Sequence, residues 1–489
     1  MPIVKEKKMS KALTYEEFGA IGNGIADDMP AIVACHEAAN KEGLPVVAKS
    51  GATYYIGARD LTATIKTDTD FNNAKFIIDD RTLENIKTSL FNVAPDSEPF
   101  TPEITSLYRN QKKIDFPHTG NVYVQIETSS HKIYIRKGLN QNAGNDPSDC
   151  FIVDAEGNIK NELNWDYPAV SNIYAISADD KPITIKGGVF TTVANRAPSK
   201  YTYHRRNFNI TRSNVTIDSL THYIVGELDH GAPYEGFISV NRCWNFTAKN
   251  LLLTPHFTYW TESKIPGKDV PMGTYDFSFG AAINARLIGI RQTIDINDGR
   301  YWGLMGSNFS KELHLEDCIM SRFDAHCGVT NGSIKNCVLG HAGLNLIGFG
   351  KFLIENTTVR SNTLVNFRQD YGSFFHGELT IKNCKWMPQN ETSSTVLNAY
   401  NTQDHDFGYK CGLPETIIID GLEVTLKDGY KSDKLYILPD YDHDFSEDKP
   451  YRYGTPETVS LSKITVNRDV ELELAKNCEQ YLETQAVCP

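Results

Sequence analysis

A chain of 489 residues that is 40% hydrophobic, with 24 tyrosines and 23 phenylalanines, is a folded protein, longer than a usual single spherical core. Its net charge of −12 lacks the basic footprint of a nucleic-acid binder. It also weighs against a polyanionic substrate unless a basic cleft overrides it locally.

No apolar run reaches the length of a membrane span. The opening Met1-Pro2-Ile3-Val4-Lys5-Glu6-Lys7-Lys8 has charges with no apolar core behind them, so no signal peptide is predicted and the chain as it stands reads as cytoplasmic. The ten cysteines contain no CxxC, which signals neither a zinc site nor a redox pair. Free, mostly buried thiols are expected.

Tyr15 to Gly24 is turn-rich. Ala26-Asp27-Asp28-Met29-Pro30 starts a helix, with an aspartate placed to cap the first amides and Pro30 in the first turn. The helix runs through Ile32, Cys35 and Ala39 and stops near Gly43. A strand at 45–48 leads to Gly51-Ala52-Thr53-Tyr54-Tyr55-Ile56-Gly57.

These residues resemble the opening of the pectate-lyase-like superfamily of right-handed parallel β-helix proteins, which includes polysaccharide hydrolases, lyases and phage tailspikes. The shared pattern is Phe18-Gly19-Ala20, Gly22-Asn23-Gly24, Asp27-Asp28, a short helix and the strand at 51–57. Asn23 stands where the superfamily more often has Asp. The resemblance implies an all-β, right-handed parallel β-helix with an N-terminal capping helix over 1–60. It also allows a homo-oligomer, a trimer if the chain is tailspike-like, and a secreted or phage-particle location if a leader has been removed.

A solenoid of this kind shows short strands at fixed periods. Here Val215–Asp218, Thr247–Asn250, Leu313–Asp317, Ser333–Asn336, Phe352–Asn356 and Leu379–Asn383 alternate apolar and polar residues and close on Asn or Asp. The last four landmarks are 19, 20 and 27 residues apart. Cys318, Cys337 and Cys384 follow three of them, predicting a buried thiol column inside the coil. Further rungs are expected at 183–185, 417–420 and 459–461. The coil is assigned to 61–470, with inserted hairpins or loops around 95–177 and a terminal helix over 471–485 covering the last rung.

Titratable residues recur after each landmark. Asp218 leads to Glu227, and Asn250 to His256 and Tyr259. Arg286 leads to Asp295 and Asp298, Asp317 to Asp324 and His326, Asn336 to His341, and Asn356 to Arg368 and Asp370. Neighbouring rungs would therefore gather them on one side of the cylinder, about 4.8 Å apart per rung. Within Ser321–Gly328, strand alternation sends Arg322, Asp324 and His326 to one face and Phe323 and Ala325 to the other. With Trp260 and Trp302 this is the mixture of a sugar cleft: aromatics for pyranose faces, carboxylates for hydroxyls and protons.

Gly340-His341-Ala342-Gly343 is similar to the Gly-His-Gly of polygalacturonases with the second glycine displaced, and their other motifs are missing. Asp324-Ala325-His326 is similar to the Asp-Pro-His of alginate epimerases with Ala325 for proline. The acidic run 440–444 reads as a solvated loop before a Ca²⁺ site. No metal or other cofactor is called for.

The first reading is a glycoside hydrolase acting on a polysaccharide or oligosaccharide, with Asp298 and Asp324 as the carboxyl pair and Asp295, Glu227 and Asp370 in reserve. His326 and Arg322 would orient Asp324. Arg368, His341, His256, Tyr259 and Trp302 would hold substrate. A uronate lyase or epimerase comes second, with His326 taking the C5 proton and Arg322 or Arg368 neutralising the sugar carboxylate. A glycan-binding fibre without catalysis is third.

Overall fold

The computed structural model describes residues 11–84, 87–136, 143–196, 203–228, 234–262, 266–392, 394–399, 407–439, 454–476 and 485–487. Parallel pairing runs through it from end to end. One face of the coil stacks Ile183–Lys186, Val215–Asp218, Trp244–Lys249 and Ile283–Ile288 in register. A second stacks Thr53–Ile56, Lys75–Asp79, Val189–Val193 and Thr221–Val225. The third stacks Phe91–Val93, Phe208–Ile210, Ile238–Asn241, Phe277–Gly280 and Met305–Glu316. The 17-residue strand Ile319–Lys335 turns two corners and contributes to all three faces. The predicted rungs, including those at 183–185, 417–420 and 459–461, all lie on strands of this stack.

Five of the six Asn and Asp landmarks have a backbone cause; at the other rung the corner falls on Ser219, one residue after Asp218. Asn250, Asp317, Asn336, Asn356 and Asn383 all have φ between 49° and 56°, the left-handed corner that side chains with short polar groups tolerate. Gly289 and Gly421 fill the same corner on their rungs. The Asn356 amide also donates to the Asn336 side-chain oxygen at 3.2 Å, tying one rung to the next. Just inside this corner the Cys318 N–H donates to Cys337 Sγ at 3.3 Å, and the Cys337 N–H to Thr357 Oγ1 at 3.3 Å. The thiol column is therefore present, with a threonine set into it. The eight described cysteines are buried and outside any disulfide; Cys478 and Cys488 lie outside the described residues.

One continuous apolar core fills the coil from Leu13 to Ala475. Aromatics stack from rung to rung within it: Phe76 on Phe190 and Phe91 on Phe208, both with centroids 4.5 Å apart. The helix Met29–Glu42 buries Met29, Ile32, Cys35, His36 and Ala39 and ends at Gly43. Of the double aspartate before it, Asp27 takes the first helix amide and Asp28 serves the preceding loop. Asp28 accepts from the loop amides of Ile21 (2.7 Å) and Gly22 and from Tyr55, fixing the glycine-rich turn to the first strand pair. Asp27 takes the Met29 amide at 3.2 Å and pairs with Arg59.

The expected terminal helix is corrected at both ends. Glu471–Glu473 is a strand beside Lys434–Tyr436, and Gln485–Val487 pairs with Thr458–Ser460. An open sheet edge offers unpaired N–H and C=O groups, and strand pairing satisfies them directly. Residues 477–484 and the acidic run 440–444 lie outside the described residues. No helix among the described residues is long and apolar enough to cross a membrane.

Between 95 and 177 the chain leaves the coil and builds an antiparallel sheet of Val122–Glu127, Ser148–Val153 and Asn172–Ser177 with its own small core. Buried polar contacts dock it. The Tyr123 hydroxyl donates to the Ala281 carbonyl at 2.6 Å, and Tyr134 to the Cys327 carbonyl at 3.0 Å. Lys311, on the coil, pairs with the fully buried Asp149 at 2.5 Å and donates to the Glu162 carbonyl.

Candidate functional site

The third face of the coil carries a column composed mainly of Asn and Ser. Register places Asn92, Asn209, Ser239, Ser278, Gly306, Asp324, Asn345, Asn366 and Asn398 one above another over nine rungs. Eight intervals make a strip about 38 Å long. Amide hydrogen bonds link its members: Asn209 to Asn92 at 3.1 Å, Asn366 to Asn345 at 2.7 Å, Asn398 to Asn366 at 2.9 Å. Strand alternation keeps their neighbours, such as Phe208, Val240 and Phe323, in the core.

At mid-strip lies a cleft of about 650 Å³. Ser239, Asn241, Ser278, Gly306 and Asn308 form its floor. The hairpin of Tyr259–Glu262 and Asp269–Met272 walls one side through Val270, Pro271 and Met272. Trp260 projects from that hairpin, 58% exposed. Tyr203, Tyr234 and Glu235 close one end; Arg136, His326, Arg368 and Asp370 close the other. Gly306 makes the fit possible. A Cβ there would stand 2.6 Å from the Tyr275 ring, which lies flat on the floor.

The polar end is a lattice of charges. Asp324 is fully buried and salt-bridged to Arg322 at 2.6 Å and Arg368 at 2.9 Å, and the Tyr275 hydroxyl donates to it. Burial by itself would raise its pKa; Arg322 and Arg368, with His326 and Tyr275, outweigh burial and hold the carboxyl well below the usual range. Arg368 also grips Asp370 at 2.8 Å, and Arg136, from the inserted segment, reaches the same carboxylate at 2.8 Å. Asp370 is 42% exposed. Its burial raises the pKa, but Arg368 and Arg136 lower it overall. Arg322 lies over the Trp302 ring at 4.6 Å, and Arg136 over Tyr371 at 4.6 Å.

His326 is held at both nitrogens, Nδ1 by the Asn308 side-chain oxygen at 2.9 Å and Nε2 by the Tyr371 hydroxyl at 3.1 Å. Burial, then Arg368, push its pKa down to about 4, so the ring is neutral at pH 7. Its Nδ1 then donates to Asn308 and its Nε2 accepts from Tyr371.

Six of the twelve expected residues meet here: Trp302, His326, Arg368 and Asp370 on the cleft, Arg322 and Asp324 directly behind it. The others do not. Asp298 is clamped by Arg300 at 2.6 Å, and Asp295 is exposed and holds the Asn297 amide at 2.9 Å; both belong to a separate loop. His341 is tied to the Ile296 carbonyl of that loop at 3.0 Å. Glu227, His256 and Tyr259 are inside the wall. The Glu227 carboxylate meets His256 Nδ1 at 2.6 Å, and His256 Nε2 lies 4.0 Å from Asp276. The His256 carbonyl in turn holds the Trp302 amide at 3.0 Å. Asp298 and Asp324 therefore do not form the expected pair. One is taken up by its own arginine, and the other is too buried and too firmly charged to give a proton.

The wall histidine yields a pH prediction. Burial lowers the His256 pKa, but Glu227 and Asp276 outweigh it and raise the value overall. A raised histidine contributes stability that is complete below the unfolded value of about 6.5 and is lost as pH rises through the folded value. The melting temperature of the wild type relative to His256→Gln should therefore fall as pH increases above about 6.5. A difference that grows with pH would show that His256 is not held charged.

No family model matches the chain, and no curated protein is found as a relative. Among solved structures it is similar to the tailspike of Acinetobacter baumannii bacteriophage AP22, solved in complex with A. baumannii capsular saccharide (12% identity, TM-score 0.51, 97% of this chain and 79% of that one). It is also similar to the gp49 tailspike of Pseudomonas phage LKA1 (14% identity, TM-score 0.50, 97% and 84%). The fold is thus a right-handed parallel β-helix, as the N-terminal motif implied.

Proposed function

We propose that this chain recognises a polysaccharide laid along the axis of the coil. The observation that carries the reading is the strip of nine registered positions, seven of them Asn or Ser, running through a cleft lined by Trp302, Tyr203, Tyr234 and Tyr275. Amides and hydroxyls in a row match a repeating polymer of hydroxyls, and the rings offer apolar surface to sugar faces. The saccharide bound by the AP22 tailspike supports the same reading for a shared fold.

Cleavage is the second reading, and Asp370 is the observation that favours it. It is ionised, partly exposed, and oriented by two arginines at the cleft edge, as a base or nucleophile must be. Paired-carboxylate hydrolysis also needs a proton donor, and neither Asp324 nor Asp370 is held protonated.

A glycan panel separates the readings. Binding is followed by calorimetry, while reducing ends and near-ultraviolet unsaturation are followed on the same samples. Binding without product means recognition alone, and new reducing ends lost in Asp370→Asn mean hydrolysis. Ultraviolet-absorbing product means elimination. No binding to any member removes the glycan reading.

A further inference from the structure

Three guanidinium groups converge at the polar end of the cleft, against two carboxylates. Arg322, Arg368 and Arg136 face Asp324 and Asp370; His326, the remaining titratable neighbour of basic type, is neutral at pH 7. The opposite end adds no balancing charge, because Glu235 is paired with Arg205 at 2.8 Å. A protein of net charge −12 therefore concentrates one uncompensated positive charge in the cleft where the glycan is proposed to lie. The third guanidinium does not come from the coil. Arg136 precedes its partner Asp370 by 234 residues and arrives on the inserted segment, whose neighbouring Tyr134 is anchored to the Cys327 carbonyl. Its Nε is buried and has no hydrogen-bond partner, although the side chain lines the cleft. A buried donor is costly to leave unmet, so holding Arg136 at the cleft asks for a cause.

We infer that Arg136 is the recognition residue for an anionic group on the glycan, a sugar carboxylate or a sulfate or phosphate substituent, and that the insertion thereby sets substrate choice. This rests on the polysaccharide reading above. The forked guanidinium presents its remaining donors to two oxygens of one anion, while Asp370 and the Tyr371 ring keep the fork in place.

The test uses the full chain with polygalacturonate and polysialic acid, their carboxyl-reduced forms, dextran sulfate and neutral dextran. Affinity is measured by calorimetry at low and high salt. The wild type should bind at least one anionic polymer about 10- to 100-fold more tightly than its neutral counterpart, more weakly as salt rises. Arg136→Gln should weaken anionic binding far more than neutral binding and so remove that preference. Preference for the carboxylate polymers or for dextran sulfate identifies which anion the site takes. Arg136→Lys keeps the charge without the fork and should retain part of the preference. It also serves if the glutamine variant melts too low to assay. Binding of neutral and anionic polymers with equal affinity, or an unchanged preference in Arg136→Gln, overturns the inference while leaving glycan recognition standing. No binding to any polymer removes the recognition itself.

Discussion

Asp324→Asn should destabilise the coil by about 3–5 kcal/mol, the usual cost of removing one partner from a buried ion pair. The carboxylate is fully buried and is the shared counter-charge of two arginines, each of which keeps little or no access to water to replace it. An amide keeps the shape and one acceptor, so Tyr275 retains a partner, while Arg322 loses its counter-charge and Arg368 keeps only Asp370. The consequence extends to the cleft, because Arg368 is also the arm that positions Asp370. Scanning calorimetry should show a clearly lowered melting temperature, and glycan binding should weaken with it. The same change at Asp298, a surface carboxylate paired with an exposed Arg300, should leave the melt unaltered. A stable, fully folded Asp324→Asn protein that binds glycan normally and has lost only turnover would restore Asp324 to proton chemistry.

Much of the coil was legible because backbone geometry restricts residue choice. A left-handed corner favours Asn, Asp or Gly, although Ser219 and Lys463 also occupy it, so a repeated Asn before a repeated Cys marks the corner and the inward position after it. Alternation within Ser321–Gly328 was legible for the same kind of reason: Phe323 and Ala325 are in the core and Asp324 and His326 are not. Distance from a landmark was a weaker guide, since it gives the rung but not the face reached after a variable loop. Asp298 fell on one such loop, His341 on a strand tied to that loop, and Glu227 and His256 on a buried wall. Arg136 had no signal of this kind, because it belongs to no rung. Tyr275 and Tyr371 were also missed, although each precedes or follows a rung strand by a few residues; their hydroxyls become partners of Asp324 and His326 only after the chain has coiled. At the two described ends of the terminal segment composition misled: Glu, Leu and Ala favour a helix, while pairing with neighbouring strands prevailed there.

If the insertion sets substrate choice, its attachment to the coil should matter as much as Arg136. Lys311 is the test. Its side chain is 2% exposed and pairs with Asp149, which is 0% exposed and also holds the Cys150 and Asn164 amides. Lys311→Met leaves that carboxylate buried without its cation, again a cost of about 3–5 kcal/mol, but here the load falls on one docking surface and not on the stack of rungs. The inserted sheet has its own core and the coil has another, so the expected outcome is local opening. Limited proteolysis should cut within 95–177 faster in the variant, and binding of anionic glycans should fall toward the level of Arg136→Gln. Changing both partners, Lys311→Met with Asp149→Leu, removes the stranded charge and should recover most of the lost protection, because two apolar groups can replace a buried pair at little cost. A variant in which Lys311→Met is cut no faster than wild type would mean that Tyr123, Tyr134 and the apolar contacts hold the insertion alone. Recovery of proteolytic protection without recovery of anion preference in the double variant would instead separate docking from the placement of Arg136.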